Sequence, residues 1–321
     1  MSNLLRLLGR RLVALPIMVL GVTLLVIVVM SLSTADPARL ALGESASPAA
    51  LASYRAERQL DDPLMVQYGR YVDDLVHGDL GESFNGVPIS KMVKNNFPIT
   101  LQLTFIGLAI ALALAVPFGV IAALYRDRWP DHVLRIFSIA FLATPSFWLA
   151  LLLIQAFGNI PGGLGWFPVV VTDWKSFTDD PGGYFKQIAL PAVALAVPVA
   201  GSLTRVVRTA MVEELDRDYV RTAIGAGIPR PVVIGRNVFR NALITPLTVL
   251  GLRVGYLMGG ALVIEIIFNI QGMGQLIFQG ITRNDVNIVQ GVTVTVALAF
   301  IVINIVVDVL YVLVNPRIRS I

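Results

Sequence analysis

An arginine-rich polar stretch, DYVRTAIGAGIPRPVVIGRNVFRNAL, occupies Asp218–Leu243 and lies between apolar segments long enough to cross a membrane. Its residue types suit docking rather than catalysis. Small side chains allow another surface to approach closely, and arginines bind acidic or polar groups. The small residues of the first half are Thr222, Ala223, Gly225, Ala226 and Gly227. From composition alone two occupants remain open: a groove on another protein, or the headgroups of anionic lipids.

The first half of this stretch is expected to form a short helix. Asp218 is a good N-cap for a helix over Tyr219–Ala226, and Gly227 followed by Pro229 supplies the signal for its end. Arg221 lies within that helix and is expected to contact whatever docks there.

A second helix is expected from Val232 to about Leu243, because Pro231 suits a first helical turn. Arg236 and Arg240 are four residues apart in it and therefore share one face. The two helices together would present arginines and small residues away from the bilayer.

Three charged residues lie inside the later apolar runs: Arg253, Glu265 and Asp308. An ion-coupled transporter needs buried carboxylates near the bilayer midplane. Each of the three is nearer an end of its run than the centre, which favours snorkelling or pairing near an interface. Arg253 and Glu265 are twelve residues apart, about 18 Å along a helix, so they cannot pair with each other. Both remain candidate pathway residues, and an ion-coupled secondary transporter or channel remains the alternative function.

The composition is that of an all-α integral membrane protein. Hydrophobic residues make up 56% of the 321 residues and charged residues 14%, whereas soluble domains carry about 25% charged residues. The absence of cysteine excludes disulfides, thiolate metal sites and a cysteine nucleophile. His77 and His132, the two histidines, are far apart in sequence, so no histidine metal site is expected.

Apolar runs of about 20 residues, the first four of them without any charge, predict six transmembrane helices. They are Leu12–Ser33, Ile99–Leu124, Ile136–Phe157, Ile188–Thr204, Leu247–Phe268 and Ile288–Leu313. The first run follows arginines and ends near a Ser33-Thr34-Ala35 sequence that resembles a signal-peptide cleavage site. It is longer than the usual signal-peptide core of roughly 7–15 residues, so a retained helix is expected.

Positive charge predicts the orientation. Fifteen lysines and arginines lie on the side of the N-terminus and the arginine-rich stretch, and nine lie on the other side across longer loops. The positive-inside rule therefore places both termini in the cytoplasm, and the net charge of +4 does not indicate a nucleic-acid partner. The predicted parts are a cytoplasmic N-terminus (1–11), a first span (12–33), an outer loop (34–98), a core bundle (99–313) that contains a cytoplasmic insert (205–246), and a cytoplasmic tail (314–321).

The outer loop 34–98 is long for a connector and is expected to form a lid or a dock for a soluble partner, or simply to cap the bundle. Apolar and aromatic residues at helical spacing predict a helix there that Gly78 closes. They are Leu64, Tyr68, Tyr71, Val72, Leu75 and Val76.

Two further features concern the spans themselves. Gly251, Gly255 and Gly259 recur every four residues, which allows another helix to approach closely, either as static packing or as a sliding seam with a second membrane chain. Phe147 and Trp148 follow Pro145 and are candidate gate residues, although aromatic residues in helices more often face the core or lipid.

The arginine-rich stretch resembles the coupling loop of ATP-binding-cassette importer permeases of the dipeptide/oligopeptide (peptide/nickel) family. The general pattern of that loop is Glu-Ala-Ala, three residues, then Gly; here Arg221-Thr222-Ala223 and Gly227 occupy those places. The peptide branch commonly reads Asp-Tyr-Val-Arg-Thr-Ala at this point, as this chain does. The general pattern ends in a proline where this chain has Arg240. The resemblance extends in order through RRLVALPIMVLGVTLLV, LDDPLMVQYGRYVDDLVHGDLGESF, ATPSFWLALLL, IEIIFNIQGMGQL and VLYVLVNPRIR.

The resemblance implies a six-helix type I importer permease bundle in a bacterial cytoplasmic (inner) membrane. It implies a second homologous permease, two cytoplasmic P-loop ATPase subunits, an extracytoplasmic solute-binding protein and membrane lipid as partners. The residues it assigns to ATPase coupling are Asp218, Tyr219, Arg221, Thr222, Ala223, Gly227, Arg236 and Arg240. Di- and oligopeptides are the expected substrates, and relatives carry nickel, glutathione or sugars.

The chain itself has no nucleotide site. A P-loop requires Gly-Lys-Ser/Thr, because its lysine reaches the β- and γ-phosphates. None of the four lysines, Lys91, Lys94, Lys175 and Lys186, follows a glycine. ATP and Mg²⁺ are therefore expected on partner subunits, and the chain is expected to be a transport subunit and not an enzyme.

Overall fold

The fold is described from a computed structural model that covers the backbone of residues 2–32, 36–43, 45–171 and 173–314. Side chains are described for those residues except 2–15, 30, 308 and 310–314. The cleavage-like sequence Ser33-Thr34-Ala35, the Asp308 side chain and residues 315–321 of the predicted tail lie outside the described residues.

Helices make up almost all of the regular structure. The described residues contain two isolated β-bridges, Glu82–Pro88 and Gly158–Phe167, and no longer strand. The first helices are α1 Ser2–Ser31, α2 Pro37–Leu42, α3 Pro48–Arg58, α4 Leu64–Val76, α5 Ile89–Leu124, α6 Trp129–Ala143 and α7 Ser146–Phe157. They are followed by α8 Pro181–Leu215, α9 Asp218–Gly225, α10 Arg230–Val232, a π-helical segment Val233–Val238, α11 Phe239–Ala242, α12 Ile244–Ile267, α13 Met273–Thr282 and α14 Val286–Val314.

The membrane class predicted from composition is confirmed, but the count of six spans is not matched. Among the described residues four helices, α5, α8, α12 and α14, are long and apolar enough to cross a membrane. The described apolar part of α1, Pro16–Val29, is shorter than a full span.

The predicted span Ile136–Phe157 is a broken pair instead of one straight helix. α6 and α7 meet at an angle of 101°, and they raise the count to five if they form one span. The break lies at Thr144, whose φ of -82° and ψ of 117° are extended. The cause is Pro145, because a proline ring disfavours helical geometry at the residue before it.

The described residues divide into two compact units, and the first comprises the described parts of 2–5, 101–270 and 302–314. α8 is the core of this unit, and α6, α7 and α12 pack against it. In its most apolar stretch 78% of α8 is buried, against 33% for α12. The helix extends well beyond the predicted span Ile188–Thr204 and carries an apolar surface down to Leu215, where the insert follows.

Close backbone contact between α6 and α8 explains why residue 201 in this core is a glycine. A Cβ atom on Gly201 would lie 2.6 Å from the Ser138 carbonyl oxygen and 2.8 Å from the Leu142 amide nitrogen. No other residue fits here unless the two helices separate, so Gly201 determines how closely α6 and α8 pack.

The second unit comprises residues 6–100 and 271–301. The predicted helix of the outer loop is present as α4, and five of its six predicted stripe residues are half-buried, while Val76 is exposed. Tyr68 donates a hydrogen bond from its hydroxyl to the Leu20 carbonyl oxygen at 2.7 Å. Arg55 of α3 pairs with Asp36 at 2.6 Å, which lowers the pKa of that carboxyl. The long segment is therefore a folded part of the chain, with its own polar contacts.

Candidate functional site

The first helix of the insert, α9, begins one residue earlier than expected. Arg217 occupies the N-cap position with extended backbone and without a side-chain hydrogen bond to the helix end. The prediction that Asp218 caps the helix is therefore wrong. Asp218 lies in the first helical turn, where its charge still interacts favourably with the helix dipole. The Thr222 hydroxyl donates to the Asp218 carbonyl oxygen at 3.1 Å, which holds that side chain against its own helix.

The end of α9 depends on the backbone of Gly227. Its φ of +82° lies in the left-handed region that favours glycine. This turn lets the Ile228 amide donate to the Ala223 carbonyl oxygen at 3.1 Å and the Gly227 amide donate to Ile224 at 3.0 Å. A Cβ atom at Gly227 would meet no atom within 4 Å, so the space around it is open.

The second predicted helix is interrupted by a π-helical segment. α10, the π segment Val233–Val238 and α11 follow one another before α12 starts at Ile244. Arg236 and Arg240 are both exposed. The π segment changes the number of residues per turn between them, and that they share one face stays a prediction.

One side of the insert is anchored by a buried apolar cluster, which joins it to the ends of α5 and α8. The buried members are Ala123, Val207, Ala210, Met211, Val220, Val233, Val238 and Ala242. Burial of this face leaves Arg221 and Thr222 of α9 exposed, as is Gly227 just beyond its end, whereas Ala223 is half-buried against the cluster. A push on the exposed face would thus be passed to α5 and α8 through close-packed side chains.

A small polar network joins three elements of the insert. The Tyr219 hydroxyl donates to Glu214 Oε2 at 2.8 Å and accepts from Asn241 Nδ2 at 3.3 Å. Burial raises the pKa of the Tyr219 phenol, so it stays neutral and keeps its proton for Glu214. Tyr219 therefore holds α9 to the end of α8 and to α11 and is only partly exposed, which makes it a positioning residue rather than a contact residue.

A buried ion pair braces the last part of α8, ahead of α9. Arg208 donates from Nε to Asp131 Oδ1 at 2.6 Å and from Nη2 to Oδ2 at 2.7 Å. Asp131, in the first turn of α6, is fully buried, and it also accepts from the Asp127 amide at 3.0 Å. The sequence analysis missed this pair, because 77 residues separate its members and no local pattern connects them.

A pocket of about 280 Å³ lies beneath α9. Its lining is about as polar as it is apolar, and its apolar residues on α8, α9 and the π segment are Val212, Leu215, Val220, Ile224, Val233 and Ile234. At its rim Arg126 pairs with Asp216 at 2.9 Å, whereas Arg221 and Arg230 pair with no carboxylate among the described residues. A pocket of mixed lining, whose rim carries two arginines without a described carboxylate partner, can receive a side chain that is accompanied by an acidic one.

The glycines of α12 do not form one continuous face. Gly251 is buried, and a Cβ atom there would lie 3.0 Å from Val307 Cγ1 of α14, so it serves packing within this chain. Gly255 is half-buried, and a Cβ atom on Gly259 would meet nothing within 4 Å. Four-residue steps fall about 40° beyond one helical turn, so the three positions drift around the helix.

The other candidate pathway residues have distinct surroundings. Phe147 and Trp148 are 50% and 49% exposed at the start of α7, so neither is a core residue of the described chain. Glu265 is fully buried in α12, which excludes snorkelling to a surface. Arg253 contacts Ser202 of α8 and is half-buried.

Comparison with known proteins gives two family matches along the chain. The family model "Binding-protein-dependent transport system inner membrane component" matches residues 115–320, and the corresponding N-terminal model matches residues 4–104. A protein of Brucella abortus (strain 2308) that carries the name of a peptide transport system permease is 38% identical over 307 residues, which cover 95% of this chain and 96% of the relative.

The names of two further relatives specify narrower classes of substrate. The "Probable D,D-dipeptide transport system permease protein" of Escherichia coli (strain K12) is 38% identical over 319 residues and covers 94% of each chain. A glutathione transport system permease protein of Salmonella paratyphi A (strain ATCC 9150 / SARB42) is 35% identical over 312 residues and covers 97% of each chain.

Proposed function

Because the chain belongs to the family of binding-protein-dependent transport system inner membrane components, we propose that it forms one half of the translocation path of an ATP-driven importer of di- or oligopeptides. The family predicted from the sequence is thus confirmed. The chain is a multi-pass inner-membrane permease of an ATP-binding-cassette transporter and not an enzyme. Permeases of this kind work with an ATPase and a binding protein.

The proposed assembly has four core chains. A second homologous permease completes the path, and two P-loop ATPase subunits, which carry the ATP and Mg²⁺, sit on the cytoplasmic side. Both termini and the insert face the cytoplasm, in agreement with the positive charge on that side, and the binding protein delivers solute from outside.

The exposed face of the insert carries the proposal for energy coupling. The proposed ATPase contact comprises Arg221 and Thr222 on α9, Gly227 just beyond its end, and Arg236 and Arg240. Ala223, which was also expected there, is half-buried against the apolar cluster, and Asp218 supports the first turn of α9. Closure of the ATPases would push α9, and the apolar cluster and the Asp131–Arg208 pair would pass that displacement to α5, α6 and α8. Packed cores transmit displacement because they compress little.

The names of the relatives favour a peptide as the substrate. Two are named for peptide or dipeptide transport and one for glutathione, which is itself a small peptide. Nickel and sugars are less favoured, although the binding protein sets much of the specificity. Every peptide of this group carries at least one carboxylate.

The test is co-purification from the native cells in mild detergent, with the partners identified by mass spectrometry. The wild-type chain should recover P-loop ATPases and a homologous permease. Thr222→Trp and Gly227→Trp should each lower ATPase recovery by at least about tenfold, because a bulky ring on the exposed face prevents close docking.

Thr222→Trp is the more direct variant, since Thr222 has helical backbone and Gly227→Trp adds strain at a positive φ. Gly69→Trp is the matched control: Gly69 lies on α4, is exposed, and has no atom within 4 Å of its Cβ position. Normal ATPase recovery and uptake with Thr222→Trp would refute the coupling role. A wild-type chain that copurifies with no ATPase would refute the proposed function.

A further inference from the structure

The pocket beneath α9 has a positively charged lining. Three of its twelve lining residues are arginines, Arg126, Arg221 and Arg230, and one is an aspartate, Asp216. Asp216 pairs with Arg126 at 2.9 Å, so the charge of two arginines remains. The side chains of all three arginines are exposed, so an anion from another molecule can reach them.

The segments and side chains outside the described structure are poor sources of a counter-charge for this pocket. Residues 1–15 carry three arginines and residues 310–321 carry two, and neither segment contains an aspartate or a glutamate. The acidic side chains outside the described ones are those of Glu44 and Asp308. Neither residue lies on an element that lines the pocket. The anion that fits the lining is therefore expected from another molecule.

Apolar surface of α5 adjoins the pocket. Ala123 and Leu124, at the end of this candidate membrane span, belong to the lining. Leu124 is 39% exposed, and Ile121, three residues earlier on the same side of the helix, is 40% exposed. The chain carries no charged residue between Lys94 and Arg126, so the apolar stretch of α5 ends at the pocket. An amphiphile can therefore lie with its apolar chains along α5 and its charged group at the arginines.

The pocket and the surface expected to meet the ATPase lie on different sides of α9. Val220, Arg221 and Ile224 of α9 line the pocket. Helical positions advance by about 100° per residue, so Thr222 lies about 150° around the helix from the middle of these three. Arg221, at the edge of the pocket side, can contact either neighbour. A ligand in the pocket would thus leave Thr222 accessible to an ATPase.

We propose that the pocket beneath α9 binds the phosphate of an anionic phospholipid at Arg221 and Arg230, with the acyl chains along Ile121 and Leu124 of α5. Arginine binds phosphate through charge-assisted hydrogen bonds, and basic pockets beside membrane-spanning helices suit anionic headgroups. The volume of about 280 Å³ admits a headgroup and leaves the acyl chains outside.

Two other anions fit the pocket less well. A free phosphate ion has the same charge but makes no use of the apolar part of the lining or of the exposed surface of α5. An acidic side chain of the ATPase would have to reach the side of α9 that is turned away from Thr222. A lipid bound here would hold α9 against the ends of α5 and α8, whichever solute the protein transports.

The test measures lipid binding to the purified full-length chain in detergent by native mass spectrometry. The anionic lipid is dioleoyl phosphatidylglycerol, and the zwitterionic reference is dioleoyl phosphatidylcholine. The wild-type chain should bind its first phosphatidylglycerol at least about tenfold more tightly than phosphatidylcholine. Arg230→Gln should lower the affinity for phosphatidylglycerol by about fivefold and leave that for phosphatidylcholine unchanged, whereas Arg230→Lys, which keeps the charge, should lose less.

Ile224→Glu is an independent variant, because it adds a negative charge to the pocket at a side chain that is 45% exposed and therefore tolerant of change. It should lower phosphatidylglycerol affinity at least as much as Arg230→Gln. Arg128→Gln is the matched control: Arg128 is exposed and lies two residues beyond Arg126, but it does not line the pocket, so the affinity should change by less than about twofold.

Four outcomes would overturn the lipid site. Equal affinity of the wild-type chain for the two lipids would remove its basis, and equal losses with Arg230→Gln and Arg128→Gln would show only general attraction to a basic surface. Glycerophosphoglycerol has the headgroup without acyl chains, so competition by it at the concentration of the lipid would indicate a site for free phosphate compounds. Loss of the Arg230-dependent binding once the chain is assembled with its ATPases would assign the pocket to an acidic segment of the ATPase.

Discussion

At the scale of single residues, the charged side chains of the first unit differ in their hydrogen-bond partners. Asp131 is fully buried and paired through both oxygens to Arg208, so the pair joins α6 and α8 with little freedom. Arg253 has a neutral partner and an open side. A buried charge that is paired as Asp131 is with Arg208 serves architecture.

Asp131→Asn should destabilise the chain by about 3 kcal/mol, since it leaves the Arg208 charge without its counter-ion and turns an amide N–H₂ toward a guanidinium. The measurement is thermal unfolding of the purified chain in detergent. Asp131→Asn combined with Arg208→Gln should lose less than the sum of the two single variants, because neither buried partner is left charged and Arg135, which also pairs with Asp131 at 3.5 Å, is partly exposed. Additive losses would show that the two side chains do not act as a pair.

At the scale of elements, α8 connects the core of the first unit with the insert. Its central stretch is packed by α6, α7 and α12, and its last turns support the apolar cluster of the insert. The contact of Gly201 with the α6 backbone determines the distance between these two helices. Movement of the insert must therefore displace α6 together with α8.

Gly201→Ala should destabilise the isolated chain by about 1–3 kcal/mol, because its methyl group would overlap backbone atoms of Ser138 and Leu142 that have no rotamer to change. Gly259→Ala is the control within α12: its Cβ meets open space, so stability should change by less than about 0.5 kcal/mol. Thermal unfolding of both variants in detergent makes the comparison. A Gly201→Ala variant as stable as Gly259→Ala would contradict the close contact.

At the scale of the whole molecule, function depends on which side of the membrane each part faces. The insert can meet ATPases only in the cytoplasm, and the 34–98 segment can meet a binding protein only outside. The charge distribution along the sequence favours this arrangement. The absence of cysteine from all 321 residues makes the orientation simple to measure, since any introduced thiol is unique.

Asn85→Cys should react with a membrane-impermeant maleimide in intact spheroplasts, and Thr222→Cys should react only in inverted vesicles. Both side chains are exposed in the structure, so a lack of labelling reports the membrane barrier and not burial. The readout is the mass shift of the purified chain after labelling from each side. The opposite pattern would reverse the proposed orientation and exclude α9 as an ATPase contact.

The sequence by itself determined the class of this protein, because composition and apolar length decide whether a segment can cross a membrane. It also determined the family, through the residues of the arginine-rich stretch, and the end of α9, because Gly227 is the residue that adopts the left-handed turn there. Local physical rules of this kind act over a few neighbouring residues.

Only the tertiary structure decided the features that join distant parts of the chain. The Asp131–Arg208 pair, the contact of Gly201 with α6 and the bond from Arg253 to Ser202 each need two helices to meet, which no local pattern records. The π segment and the bend of 101° at Pro145 are deviations from α-helical geometry in regions that the sequence predicted as continuous helices. Burial of apolar surface stabilises any arrangement of helices that buries it. The close contacts between helices determine which of these arrangements forms, and with it where the backbone departs from a regular α-helix.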